Sequence, residues 1–208
     1  GRPDFINQVN ELYGGIPEGF AGSLDPNSSI GTFNGQVILD REARRIYLMD
    51  SKGLDILSFA GLDLFLQNNL YFNLLEQFPK FKVVDEKSPI GIGYNCAFDN
   101  KLKRFLITKK DYKAIDPSKL ELVDNKYFKD KVTQNIILFN DTRYFEETSF
   151  TLSYDLGSKT WISYHSYLPD VYLVDRFNLF SVENNNIYLH NNSKTYQSFY
   201  GKYYPFIV

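Results

Sequence analysis

Residues 152–164, LSYDLGSKTWISY, form the segment that decides the fold. An apolar run ends at Asp155, a polar stretch follows, and Trp161 stands six positions after the aspartate. An aspartate at a turn accepts hydrogen bonds from backbone N–H groups about two residues further along and so fixes a chain reversal. The segment therefore predicts a β-hairpin in which Trp161 begins the return strand and faces the core as an anchor.

The same pattern occurs three times in the chain, at 40–46, 99–105 and 155–161. In each copy an apolar run ends at an aspartate, a basic residue follows at the fourth position, and a large apolar residue follows at the sixth. A fourth hairpin is predicted over 179–190. Its turn contains Asn184 and Asn185, because asparagine tolerates the positive φ values that tight hairpins require.

Repeated hairpins, together with an aromatic content of 17%, predict a mainly β fold. Hairpin units with an aromatic residue in each are typical of β-propellers. The three aspartates are 59 and 56 positions apart, which exceeds the usual ~40–50 residues per blade. Insertions between blades at 61–78 and 111–134 account for the excess. The prediction is a β-propeller-like fold, small or incomplete, with a sandwich of hairpins as the alternative.

One stretch departs from the β pattern. Residues 61–78, GLDLFLQNNLYFNLLEQF, place apolar residues at helical spacing and predict an amphipathic helix, or two short ones broken near Asn68 and Asn69. We expect a single β-rich domain over 1–208, with an irregular lead-in at 1–30. The hairpin units lie near 36–58, 91–110, 149–174 and 179–208. The first residue is not methionine and the last run is apolar, so we expect a piece of a longer polypeptide.

Composition restricts the kinds of partner. The net charge is −2 and the basic residues are scattered, so neither nucleic acid nor an anionic membrane is predicted as a partner. The short basic runs at 41–45 and 101–104 are interpreted as solvated turn residues. The single cysteine, Cys96, excludes an internal disulfide and a multi-cysteine metal site. There is no run of 18 apolar residues, so no membrane span is predicted.

No catalytic, cofactor-binding or metal-binding residue is predicted. His165 and His190 are the only histidines. A set of His165, Ser163 and Asp170 lacks a nucleophile-elbow motif, and close neighbours along a strand point to opposite faces. The adjacent carboxylates at 146–147 do not establish the opposed pair that glycoside hydrolysis needs.

A cluster of aromatic residues in 161–173 is the one candidate binding surface. Exposed rings stack on sugars and anchor protein interfaces. The candidate ligand or interface residues are Trp161, Tyr164, Tyr167 and Tyr172. The simpler interpretation, which we favour, is that alternate rings lie in the core and the others are spread over the surface.

The runs SFTLSYDLGSKTWISYHSYLPDVYL, FNLFSVENNNIYLHNN and FYGKYYPFIV resemble a pattern in tail proteins, including muzzle proteins, of crAss-like bacteriophages. FDNKLKRFLITKKDY resembles an earlier repeat of the same proteins. The resemblance covers roughly residues 30–110 and 145–208. It implies a virion component of β-rich modules, assembled in the host cytoplasm as a ring-like oligomer with other virion proteins as partners. It implies no catalytic residue and no cofactor.

The leading hypothesis is therefore a non-enzymatic structural module of a phage tail, mediating subunit assembly and contact with the host surface. The second hypothesis is a carbohydrate-binding module that recognises host surface glycan through the aromatic cluster. The third is a propeller-type glycosidase, which requires two carboxylates facing each other across a cleft.

Overall fold

The computed structural model describes residues 21–25, 27–82, 91–192 and 198–203. Strands make up 46% of it and helices 11%, which confirms the mainly β class built from antiparallel hairpins. The predicted lead-in at 1–30 and the end of the last hairpin unit lie largely outside the described residues.

The first four strands form sheet 1, a meander in which each strand pairs with the next. They are β1 (Ser29–Thr32), β2 (Gly35–Asp40), β3 (Arg45–Asp50) and β4 (Gly53–Ile56). Apolar residues alternate along β2, so one face of the sheet buries Val37 and Leu39 completely.

Two short helices follow sheet 1. The sequence of 61–78 predicts either one helix or two short ones, and the structure has two. A 3-10 helix (Leu57–Phe59) leads into α1 (Asp63–Asn69) and α2 (Asn73–Gln77). The break lies at 70–72, slightly later than predicted. The helices bury Leu66 and Leu74 completely, so the apolar stripe docks on the protein's own core.

Sheet 2 begins with the hairpin of β5 (Gly93–Asp99) and β6 (Arg104–Lys110) and is then interrupted by an excursion over 111–149. The excursion contains a 3-10 helix (Pro117–Lys119) and five strands: β7 (Tyr112–Ala114), β8 (Leu120–Val123), β9 (Tyr127–Asp130), β10 (Ile136–Ile137) and β11 (Phe145–Glu147). Strands β7 and β11 pair where the excursion leaves and rejoins sheet 2, and this paired base is called its neck. The insertion predicted at 111–134 therefore contains strands, and it lies within one sheet as part of a longer excursion.

The chain then completes sheet 2 with β12 (Phe150–Asp155) and β13 (Thr160–His165), in the order β13-β12-β6-β5. Sheet 3 consists of β14 (Val171–Val174), β15 (Leu179–Glu183) and β16 (Asn186–Leu189). A small hairpin of β17 (Ser198–Phe199) and β18 (Lys202–Tyr203) follows. The predicted units 91–110 and 149–174 are thus regrouped. Their two hairpins share sheet 2, and 171–174 belongs to sheet 3.

The three aspartate turns form as predicted. Oδ1 of Asp155 accepts hydrogen bonds from the backbone N–H groups of Gly157 and Ser158, both at 2.8 Å. Asp40 and Asp99 make the same pair of bonds within their own turns. The basic residue at the fourth position has a positive φ each time, 55°, 57° and 56° in chain order. The turns join different pairs of strands within their sheets, so they are a recurrent local solution and not the mark of equivalent units.

Sheet 2 is the central layer. One face, with Phe105 and Ile107, packs against sheet 1 and the helices in the main core. The opposite face, with Ala97 and Leu106, packs against Tyr172 of sheet 3. Strand β5 contacts both β1 and β14, so the first strands of the three sheets lie together.

A buried ion pair attaches the helices to sheet 2. Nζ of Lys109 lies 2.8 Å from Oδ2 of Asp111, and both side chains have no exposed surface. Nζ also donates to the carbonyl oxygens of Asn69 (2.6 Å) and Tyr71 (2.7 Å). Asn69 is the last residue of α1, and Tyr71 lies two positions after it. Oδ2 of Asp111 accepts from the backbone N–H of Asn73 at the start of α2 (2.7 Å). The pair therefore bonds to both helices from the end of β6.

Replacing Lys109 with methionine is expected to lower the free energy of unfolding by about 3–5 kcal/mol, because it leaves Asp111 buried without a counter-charge. The double variant Lys109→Met/Asp111→Asn removes both charges and is expected to recover part of that loss. Urea unfolding, followed by the fluorescence of Trp161, measures both variants. An equal loss in the single and double variants would contradict the role assigned to the charges.

Replacing Asp155 with alanine is expected to cost about 1 kcal/mol of unfolding free energy, because two turn N–H groups lose their acceptor. Asp155→Asn keeps a side-chain oxygen at the same place and is expected to remain close to wild type. Thermal and urea unfolding of the two variants test this. If both lose the same stability, the hydrogen bonds of the turn are not the cause.

Candidate functional site

Trp161 and Tyr164 lie on the same face of β13. A β-bulge in the β12–β13 pair sets Trp161 opposite Tyr154 and Tyr164 opposite Leu152. In a regular strand, residues separated by an odd number of positions point to opposite faces. The bulge therefore brings together two of the four aromatic residues that the sequence singles out.

The two rings line an apolar depression of about 200 Å³ between α1 and β13, the edge strand of sheet 2. The other lining residues are Leu62, Phe65, Leu152, Ile162 and Ser163. Trp161 packs against the main core, and its Nε1 donates to the carbonyl oxygen of Leu57 at 3.1 Å. Tyr164 is 63% exposed. With so few hydrogen-bonding groups, the depression suits an apolar side chain better than a sugar.

Tyr167 and Tyr172 do not belong to this surface. They are 3% and 9% exposed and lie on the opposite side of sheet 2, against Ala97 and Leu106. The hydroxyl of Tyr172 is 2.8 Å from Oγ1 of Thr108, so its polar end is satisfied inside the protein. The candidate surface of four rings is thus corrected to two, because the other two rings fill the space between sheets 2 and 3.

Both histidines join these tyrosines in one His–Tyr cluster. The centroid of the Tyr167 ring lies 4.8 Å from that of His165 and 5.3 Å from that of His190. Nε2 of His165 is 2.9 Å from Oγ of Ser153, and Nε2 of His190 is 2.7 Å from Oγ of Ser181. Burial lowers the pKa of His165 to about 4 and also lowers the pKa of His190. The cluster therefore favours neutral imidazoles.

The serine–histidine contacts are closed to a substrate, because Ser153 is 1% exposed. The set of His165, Ser163 and Asp170 considered above is not assembled. His165 contacts Ser153, whereas Asp170 forms an ion pair with Lys110. These contacts explain the packing of sheets 2 and 3 without a chemical role.

The remaining chemical candidates lie apart from one another. Glu146 and Glu147 are exposed at the neck of the excursion, and no acidic residue lines the depression beside β13. Cys96 faces the core, and burial raises the pKa of its thiol. Within the described part of the chain, no three His, Cys, Asp or Glu side chains are grouped so as to hold a metal ion. The helices of that part are all too short or too polar to cross a membrane.

No protein-family model matches the chain. A search of curated proteins also gave no match.

Sequence reasoning misses three features of sheets 2 and 3. The bulge at β13 has no recognisable signal, since TWISYH contains neither glycine nor proline to mark it. The meeting of His165 with His190 depends on how sheets 2 and 3 stack, which no local pattern encodes. The exposed apolar residues of sheet 3 are visible in the sequence, but which of them face solvent is not.

Stability is expected to depend on pH between about 6.5 and 4. The folded protein keeps His165 and His190 neutral, whereas the unfolded chain binds protons near pH 6.5, so acid favours unfolding in this window. The free energy of unfolding should be level above pH 6.5 and fall below it, approaching about 1.4 kcal/mol per pH unit for each histidine. Urea unfolding at several pH values, compared with His165→Gln/His190→Gln, measures this. A profile with the same slope in the double variant would refute the assignment.

Proposed function

We propose that this chain is a non-enzymatic structural module of a phage tail protein that joins neighbouring copies through its sheets. The observation that carries the proposal is the outer face of sheet 3, the side turned away from sheet 2. The resemblance to tail and muzzle proteins of crAss-like phages supplies the virion setting, with assembly in the cytoplasm of the bacterial host.

The outer face of sheet 3 is apolar throughout. Strand pairing arranges six side chains in two rows across the sheet. The rows are Val171, Val182 and Ile187, and Leu173, Phe180 and Leu189. Ile187 is 67% exposed and Leu173 is 48% exposed. Contiguous exposed apolar surface of this kind marks an interaction site.

The occupant that fits this face is the same face of a second copy. None of the six side chains is charged, so two copies related by a twofold axis bring no like charges together. Sheets pack face to face through apolar side chains of this kind. Sheets 1, 2 and 3 of this chain already stack in chain order, and a sheet from a second copy continues the stack.

The same stacking supports a propeller-like arrangement within the proposal. Sheets 1 and 2 each have four strands, and the first strands of all three sheets lie together. Innermost strands of neighbouring propeller blades have this relation around their common axis. Sheet 3 is then the last described blade of an incomplete set, which accounts for an apolar face that no other described sheet covers.

The two alternatives have weaker support. A glycan-binding surface made of four aromatic rings is not formed, because Tyr167 and Tyr172 are buried. The apolar depression beside Trp161 and Tyr164 offers a sugar few hydrogen-bonding partners. A propeller-type glycosidase requires opposed carboxylates in a cleft, and no acidic residue lines this depression.

Ile187→Lys is expected to abolish self-association, because it places a charge within the proposed apolar contact. Sedimentation velocity over a range of concentrations should show wild-type dimers or larger species and a monomeric variant. Val132→Lys, at an apolar position of the excursion that is 89% exposed, is the matched control and should behave as wild type. A wild-type protein that stays monomeric, or a variant that still associates, would overturn the proposed contact.

The virion role has a separate test. Immunogold labelling of phage particles, with an antibody raised against this domain, should place label at the tail. Absence of label on intact and opened particles, with the protein present in infected cells, would reject the virion setting. It would leave the self-association result untouched.

A further inference from the structure

We propose that the turns at one end of sheets 2 and 3 form a binding site for a short carboxylated saccharide. The β5–β6 turn meets the β14–β15 turn there, although 75 positions separate them. Nδ2 of Asn100 donates to the carbonyl oxygen of Asp175 at 3.3 Å. Between the turns lies a depression of about 600 Å³, a size that suits a small ligand. Its lining residues are Asn100, Lys101, Lys103, Arg176, Phe177 and Asn178.

The lining of this turn site carries three cations and no acidic residue. Among the residues that the structure describes, Lys101, Lys103 and Arg176 take part in no ion pair, and all three are exposed. This local excess is notable in a chain whose net charge is −2. From the sequence alone, the basic run at 101–104, which includes Lys101, is interpreted as solvated turn residues. The structure shows that Lys101 shares a concave surface with a cation from a distant turn.

Two neighbouring aspartates, Asp99 and Asp175, offset part of this positive charge, and their carboxylates are oriented by bonds to their own turns. Oδ1 of Asp175 accepts from the backbone N–H groups of Phe177 (2.7 Å) and Asn178 (2.6 Å). Oδ1 of Asp99 accepts from two N–H groups of its own turn, and its Oδ2 accepts from Nδ2 of Asn191 at 2.9 Å. The carboxylates thus face their own turns, and Nζ of Lys103 lies over the Phe33 ring beside the depression, 5.2 Å from the ring centroid.

The uncharged groups of the turn site favour a sugar as the carrier of the anion. Phe177 is 68% exposed, and the guanidinium of Arg176 lies over its ring, 5.3 Å from the centroid. The rest of the exposed ring offers a flat apolar surface to a sugar. The amide nitrogens of Asn100 and Asn178 are held by Asp175, which leaves their Oδ1 atoms to accept from sugar hydroxyls. A nucleic acid would instead need a track of cations along its backbone, and three cations at one concave spot do not provide one.

The test uses tri-galacturonate as the probe and its uncharged methyl ester as the matched ligand. Titration followed by NMR of the ¹⁵N-labelled protein should show shifts at both turns with tri-galacturonate. Binding should weaken as salt is raised and be absent with the ester. Lys103→Gln and Arg176→Gln are each expected to weaken binding about threefold to fivefold. Phe177→Ala is also expected to weaken it. Lys126→Gln, at an exposed position of the excursion, should leave affinity unchanged.

Three kinds of result would overturn the proposal. Equal binding of the ester would show that charge is not recognised, and shifts confined to other parts of the protein would place the site elsewhere. Tighter binding of a thymidine hexanucleotide or of a tri-glutamate peptide would assign the cations to a different class of ligand. An unchanged spectrum of the free variants confirms that they are folded. The outcome is independent of the self-association measured with Ile187→Lys.

Discussion

The buried ion pair between Lys109 and Asp111 is the interaction on which the arrangement of the layers depends. A charge taken out of water is tolerated only where partners complete its hydrogen bonds. Backbone carbonyls at the end of α1 and the N–H of Asn73 at the start of α2 serve as those partners, whereas Oδ1 of Asp111 is buried without a hydrogen bond from the described residues. The helices are thereby held in one position against sheet 2. They contribute side chains to the main core that sheets 1 and 2 share, so the pair holds part of that core in place.

The hairpins could be predicted from the sequence because the residues that fix each turn lie within the turn itself. Asp40 and Asp155 bond to N–H groups within three residues, and Asn184 and Asn185 adopt positive φ in their own turn. The grouping of hairpins into sheets could not be predicted, because the β6–β12 pairing spans the whole excursion. Two strands of the excursion, β8 and β9, could also have been predicted from the sequence. Leu120 and Phe128 are buried while their neighbours are more exposed, and this alternation stands on either side of a turn.

The candidate sites could likewise be predicted only where they depend on local sequence. The aromatic residues of 161–173 are conspicuous in the sequence, but a single bulge decides that Trp161 and Tyr164 share a face. The stacking of sheet 3 on sheet 2 decides that Tyr167 and Tyr172 are buried. The turn site of Lys101 and Arg176, and the apolar outer face, also arise from this stacking. Surfaces that form between distant segments leave no periodic or spacing signal in a single sequence.

The way in which the excursion joins sheet 2 has a consequence for how such chains diversify. The backbone N–H of Asp111 donates to Oγ of Ser149, and the N–H of Thr148 donates to the carbonyl oxygen of Asp111, so the two ends of the excursion lie side by side. Lys109 and Phe150 are paired across the sheet, so the strands on either side of the excursion are held together without it. The position can therefore accept segments of different length, provided that they keep Asp111 beside Lys109 and replace the core side chains Phe128 and Phe145.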